Sequence, residues 1–109
     1  MNQQIITFQE MFPHIKDGGL YVCEDCGTSY WEQFDGGLKR EGTFIEFTKN
    51  LIDEINAIHT QTTNSKKSLP VTYNTLNMGG LHFYDSIVIV EKSLRPFSPF
   101  SLKIGEPAL

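Results

Sequence analysis

Two short runs of this chain, Leu20-Tyr21-Val22-Cys23 and Ile87-Val88-Ile89-Val90, are apolar at consecutive positions, so as strands both of their faces are apolar. A strand that sits between water and a core alternates; one that is apolar on both sides is read as covered by helices, as in an α/β sheet. The 109 residues set the scale at one domain or part of one. The composition, 39% hydrophobic with no block of like charge, describes a folded chain and not a disordered one.

Elements can be placed around those strands. Ile5, Ile6, Phe8, Met11 and Phe12 recur at helical intervals and Pro13 follows as a stop, which predicts a helix from Gln3 to Phe12. Lys16-Asp17-Gly18-Gly19 is a tight turn into the first strand. Glu32 to Gly42, with Asp35-Gly36-Gly37, has the composition of a loop or lid. Thr43 and Glu46 form a capping box, and Phe44, Phe47, Leu51, Ile55 and Ile58 give the stripe of a helix from Phe44 to about His59. Gln61 to Ser68 is polar loop. Leu81–Tyr84 and Ile87–Glu91, separated by Asp85-Ser86, predict a hairpin whose second strand is interior. The segment 93–109, with three prolines and two phenylalanines, is expected to be an extended tail.

Charge narrows the partners. A net charge of −4 with scattered Lys and Arg argues against nucleic acid. No apolar run is long enough for a bilayer, and Met1-Asn2-Gln3-Gln4 lacks a signal-peptide pattern, so no membrane partner and a cytoplasmic location are expected.

The chemistry concentrates where the first strand ends. Glu24 and Asp25 follow Cys23 at once, and ligands of open α/β sheets bind beyond the carboxyl ends of strands. Adjacent carboxylates repel unless a cation lies between them, and hard oxygen donors point to a magnesium-type ion. The bland alternative is that the pair is solvated or that Asp25 caps the next turn. Cys23 and Cys26 have the spacing of a redox or zinc motif, but no second pair completes a zinc site. The preferred reading is Cys23 as a buried small hydrophobe and Cys26 in a turn. Tyr30 and Trp31 are weighed evenly between core and the apolar wall of a ligand site. His82 is read as a structural histidine, since nothing in the sequence places an acid beside it; His59 suits a helix C-terminus, and His14 is unassigned.

Phe12-Pro13-His14-Ile15-Lys16-Asp17-Gly18-Gly19-Leu20 resembles the Leu/Phe-Pro-x-Leu-Lys-Pro-Gly-Gly turn before the fifth strand of class I S-adenosylmethionine-dependent methyltransferases, with Asp17 in place of the proline. Tyr21 to Trp31 and Leu81 to Val88 are similar to the magnesium-dependent sugar O-methyltransferases of macrolide pathways, and the resemblance covers most of residues 3 to 92. It implies a partial domain over residues 1–92, the C-terminal half of a Rossmann-like sheet: one strand beside an antiparallel hairpin, with two main helices. It also implies S-adenosylmethionine and Mg as cofactors, Glu24 and Asp25 as metal ligands, and a glycosylated natural product as the small-molecule substrate. In such enzymes a third carboxylate and a histidine base come from a preceding strand, which would lie before Met1. The Gly-x-Gly signature is also missing, so the catalytic residues are unknown, no cofactor-binding residue is assigned and the isolated chain is expected to be inactive. An unpaired edge on the first strand is expected to drive self-association. The alternative is a noncatalytic binding or oligomerisation module on the same scaffold; a redox protein using the two cysteines ranks third.

Overall fold

The structure is a computed structural model that describes residues 2–61 and 68–95. Helix α1 (Asn2–Met11) tightens into a 3-10 turn at Phe12–His14, with Pro13 near its start where its missing N–H costs nothing. Strand β1 (Leu20–Cys23) follows, then two further 3-10 turns, Cys26–Tyr30 and Glu32–Phe34. Helix α2 (Phe44–Ile55) ends at Asn56, short of the expected His59, and a separate turn of helix, α3 (Ala57–Thr60), continues the chain. Asn56 breaks the run by turning its own side-chain amide onto the Ile52 carbonyl at 2.8 Å.

A helix the sequence reading lacked, α4 (Tyr73–Asn77), leads directly into β2 (Met78–Tyr84) and β3 (Ile87–Lys92). Its capping box is built from two threonines, Thr72 and Thr75, so the usual Glu or Gln signal is absent. The tail expectation falls largely on residues 96–109 and the polar-loop expectation largely on residues 62–67, both outside the described residues.

The sheet order is β1-β3-β2 with both pairings antiparallel, so the first strand lies beside the last and β3 is central, as expected. Tyr21 and Cys23 of β1 and Val88 and Val90 of β3 face the helices. There Phe8, 1% exposed, stacks on Phe12 with centroids 5.0 Å apart and meets Tyr21 and Phe47 edge-on. Burying such aromatic rings stabilises the fold by about 1.5 to 3 kcal/mol each. The other face differs: Leu20 and Val22 are about half exposed, at 55% and 49%, and β1 has no strand on its second edge among the described residues.

The turn into β1 is clamped to the end of β3. Gly18 N donates to the Lys92 carbonyl at 2.6 Å and Lys92 N to the Gly19 carbonyl at 2.8 Å, with Gly18 at φ 89°. Asp17 accepts from Leu94 N at 2.7 Å, a bond proline could not make. Lys92 itself is 5% exposed; its ammonium donates to the Phe12 carbonyl at 3.0 Å and to the Tyr73 hydroxyl, and lies 4.8 Å from the centroids of both rings. Arg95 donates to the carbonyls of Ile55, Thr75 and Met78, joining α2, α4 and β2, and its burial lowers the guanidinium pKa. Lys92→Met keeps the aliphatic stem but removes the ammonium's bonds to the Phe12 carbonyl and the Tyr73 hydroxyl and its contact with both rings; urea denaturation is expected to show a loss of about 1 to 3 kcal/mol.

Candidate functional site

Because β1 and β2 both oppose β3, they run parallel, and their carboxyl ends, Cys23 and Tyr84, lie at the same end of the sheet with Val88 between them. The acidic pair and the hairpin turn Asp85-Ser86 are therefore neighbours. Cys26 N donates to the Ser86 carbonyl at 2.9 Å and Gly27 N to Ser86 Oγ at 2.8 Å. Ser86 is itself left-handed at φ 62°, so a residue other than glycine carries this turn.

Glu24 and Asp25 are both exposed and leave the strand at once: Asp25 is at φ 58°, ψ 32°, a conformation aspartate tolerates better than most residues. Asp25 stands at the cap position of the Cys26–Tyr30 turn, but its side chain makes no capping bond; its carbonyl takes the bonds from Thr28. Two hard oxygens fit a magnesium ion, which keeps several waters and takes one or two protein carboxylates. Among the described residues no cluster of three His, Cys, Asp or Glu forms, so the pair stands without a third protein ligand.

The left-handed turn at Asp25 brings the two cysteines together. Cys26 opens the Cys26–Tyr30 turn, as expected, and is fully buried, whereas Cys23 is only half-buried and not the buried residue expected; both are free thiols. Cys26 Sγ lies 3.3 Å from the Cys23 carbonyl oxygen. The hydrogen bond from Cys26 holds the Cys23 thiol below the usual range, and that same interaction, with burial, pushes the Cys26 thiol up.

Tyr30 and Trp31 come together on one wall of a cleft of about 570 Å³, within the range of small-molecule sites. Helix α2 supplies Ile45, Lys49 and Ile52, and the hairpin supplies Phe83 through Ser86 with Val88. Neither Glu24 nor Asp25 lines it. Sequence reasoning missed the α2 wall because Ile45, Lys49 and Ile52 form a second stripe beside the core stripe, a signal visible as i, i+4, i+7 spacing. The predicted capping box is half made: Thr43 accepts from Glu46 N at 3.3 Å, while the Glu46 carboxylate pairs with Lys49. The loop Glu32 to Gly42 folds back under Trp31: Gly36 N donates to the Trp31 carbonyl and Gly37 N to that of Ser29, both at 2.8 Å. A Cβ at Gly36 would come within 2.4 Å of the Ser29 carbonyl oxygen.

His82 has an acid partner after all. Glu91, diagonal to it across the hairpin, forms an ion pair with Nε2 once the ring is protonated, and Gly80 leaves room for the carboxylate. His59 lies at the end of α3, as expected, and His14 closes the first 3-10 turn.

A three-stranded antiparallel sheet ending an α/β unit, with acids at its carboxyl end, is the fold of the C-terminal part of a class I methyltransferase. The homologues of this chain are sugar O-methyltransferases of macrolide and polyketide pathways. It is 39% identical over 89 residues to mycinamicin VI 2''-O-methyltransferase of Micromonospora griseorubida, covering 79% of this chain and 22% of the relative. It is 35% identical to the 8-demethyl-8-alpha-L-rhamnosyl tetracenomycin-C 2'-O-methyltransferase of Streptomyces olivaceus, covering 81% and 23%, and 34% identical to the L-olivosyl-oleandolide 3-O-methyltransferase of Streptomyces antibioticus, covering 73% and 21%. The solved structure of the methyltransferase MycE with Mg and SAH superposes with a TM-score of 0.70 at 37% identity, over 87% of this chain and 24% of that one; a second MycE structure also holds mycinamycin VI and superposes with the same TM-score. No family model matches the chain. The chain spans less than a quarter of the length of these relatives.

The thiol arrangement has a direct readout. Iodoacetamide followed by peptide mass spectrometry across pH should alkylate Cys23 at pH values below those a free cysteine needs, and leave Cys26 unmodified until the protein unfolds.

Proposed function

We propose that this chain is the acceptor-side portion of an S-adenosylmethionine-dependent, magnesium-dependent O-methyltransferase that modifies a sugar hydroxyl on a glycosylated natural product. The observation that carries the reading is the pair Glu24 and Asp25 at the shared carboxyl end of β1 and β2 in a chain whose homologues are sugar O-methyltransferases. A bound magnesium ion acidifies an alcohol and fixes its direction for methyl transfer. Glu24 and Asp25 would hold that ion from the end of β1, where the left-handed turn at Asp25 takes the chain out of the strand. Tyr30 and Trp31 stand beneath the acceptor as an apolar wall that orients the ring and keeps water from it. The cofactor half is expected outside this chain, so the chain alone is inactive; such an enzyme works in the cytoplasm, where the sequence reading puts it.

A chimera in which this chain replaces the matching segment of the mycinamicin VI 2''-O-methyltransferase tests the assignment. Magnesium-dependent methylation is expected, and Glu24→Gln or Asp25→Asn should each lower kcat/KM on the order of a hundredfold or more. Unchanged activity in both variants refutes the ligand assignment. The second reading is a noncatalytic module on the same scaffold; a folded chimera without activity would support it.

The open edge of β1, with Leu20 and Val22 exposed beside it, is proposed to pair with a second copy. Light scattering of the chain should show an apparent mass that rises with concentration and falls back to that of a monomer in Val22→Lys; a monomer at high concentration in both refutes the pairing.

A further inference from the structure

The turn after β1 closes the segment Cys23-Glu24-Asp25-Cys26 on itself. In a continuing strand, side chains three positions apart point to opposite faces. Asp25 is left-handed at φ 58°, ψ 32°, and the chain folds back there: Cys26 Sγ stands 3.3 Å from the Cys23 carbonyl oxygen, and the Cys26 thiol also hydrogen-bonds the Cys23 sulfur. Two sulfurs in contact at the ends of so short a turn can be bridged without carrying one element of the fold toward another. Zinc is the other chemistry this spacing serves, and a structural zinc takes four ligands. Among the described residues no group of three His, Cys, Asp or Glu forms, so the two thiols lack the rest of such a set.

The two thiols are not equivalent. Cys23 is the last residue of β1 and half-buried, so a small solute reaches its sulfur. Cys26 is 0% exposed and belongs to the core cluster with Phe8 and Val88. An oxidant from solvent therefore meets Cys23 first, and the neighbour waiting behind it is Cys26. Gln4 of α1 faces the same sulfur: its Nε2 donates to Cys23 Sγ at 3.7 Å, while its Oε1 is buried with no hydrogen-bond partner among the described residues. A hydroxyl placed on that sulfur by oxidation is a donor suited to the unused acceptor.

We propose that Cys23 and Cys26 form a reversible, peroxide-driven disulfide, in which Cys23 is oxidised first and Cys26 closes the bond. The Cys23 sulfur attacks one oxygen of hydrogen peroxide; the O–O bond breaks, water leaves with the thiol proton, and Cys23 carries a sulfenic acid. The Cys26 sulfur then attacks the Cys23 sulfur, the S–O bond breaks, and the hydroxyl departs as a second water with the Cys26 proton. The two thiols together lose two electrons and the peroxide takes both. A dithiol restores the thiols by exchange. The inference stands independently of the methyltransferase reading; where that reading holds, Glu24 and Asp25 lie inside the ring that the bond closes.

The test uses the reduced 109-residue chain, treated with equimolar hydrogen peroxide, cleared of the remainder with catalase, and blocked with N-ethylmaleimide in urea. No Lys or Arg lies between Lys16 and Lys39, so trypsin leaves both cysteines in one peptide. That peptide is expected to be lighter by two hydrogen atoms, to carry no maleimide, and to be restored by dithiothreitol. Cys26→Ala should stop at the sulfenic acid, which dimedone captures on Cys23. Cys23→Ser should keep Cys26 reduced under the same treatment until urea unfolds the chain, with circular dichroism reporting the fold of each variant. Should Cys26→Ala fail to fold, the parent chain and Cys23→Ser, altered only at the half-buried position, decide the outcome. A sulfinic acid or a disulfide between two chains in place of the internal bond, or oxidation of Cys26 in folded Cys23→Ser, overturns the proposal.

Discussion

The register of β1 against β3 is the constraint from which the site follows. Side chains alternate along a strand, so a slip by one residue would exchange Tyr21 and Cys23 for Leu20 and Val22 on the helix-covered face. Two backbone hydrogen bonds between the Gly18-Gly19 turn and Lys92 fix that register from one end, and the bonds from Cys26 and Gly27 to Ser86 fix it from the other. Held at both ends, four residues suffice as a strand, and the acidic pair emerges beside the hairpin turn.

Lys92 explains how a cation sits in this core. It closes the sheet at the point where α1 has ended, and the 3-10 turn at Phe12–His14 presents a carbonyl to it. The rings of Phe12 and Tyr73 accept the charge on their faces in place of a carboxylate. The buried ammonium thereby links three elements distant in sequence: the end of α1, the start of α4 and the end of β3.

Much of the architecture was legible because periodicity and punctuation agreed. The α1 stripe with Pro13, the Thr43 cap and the apolar run of β3 each carried a local signal as strong as its tertiary role. Helix α4 was not legible, since its reciprocal cap uses Thr75 where the familiar pattern needs Glu or Gln. Glu46 shows the converse: the pattern was present, but the carboxylate chose Lys49, a partner on the helix surface. Strand-end position singled out Glu24 and Asp25, which the structure leaves exposed just past β1, and Tyr30 and Trp31, singled out with them, line a cleft. The cleft they border was hidden, because Ile45, Ile52 and Phe83 meet across segments far apart in sequence. The acid beside His82 was hidden for the same reason: only the hairpin register brings Glu91 to it.

The close approach of Gly36 to the Ser29 carbonyl turns the segment after Trp31 into a fixed hinge plate rather than a free flap. Length and sequence can drift among the exposed residues on its outer side, around Leu38 and Lys39, without moving the indole. At position 36 itself even a methyl group would wedge the plate away from the turn beneath it. The tolerance of this loop to change thus divides sharply at one residue, which gives a natural seam for grafting loops onto the same sheet.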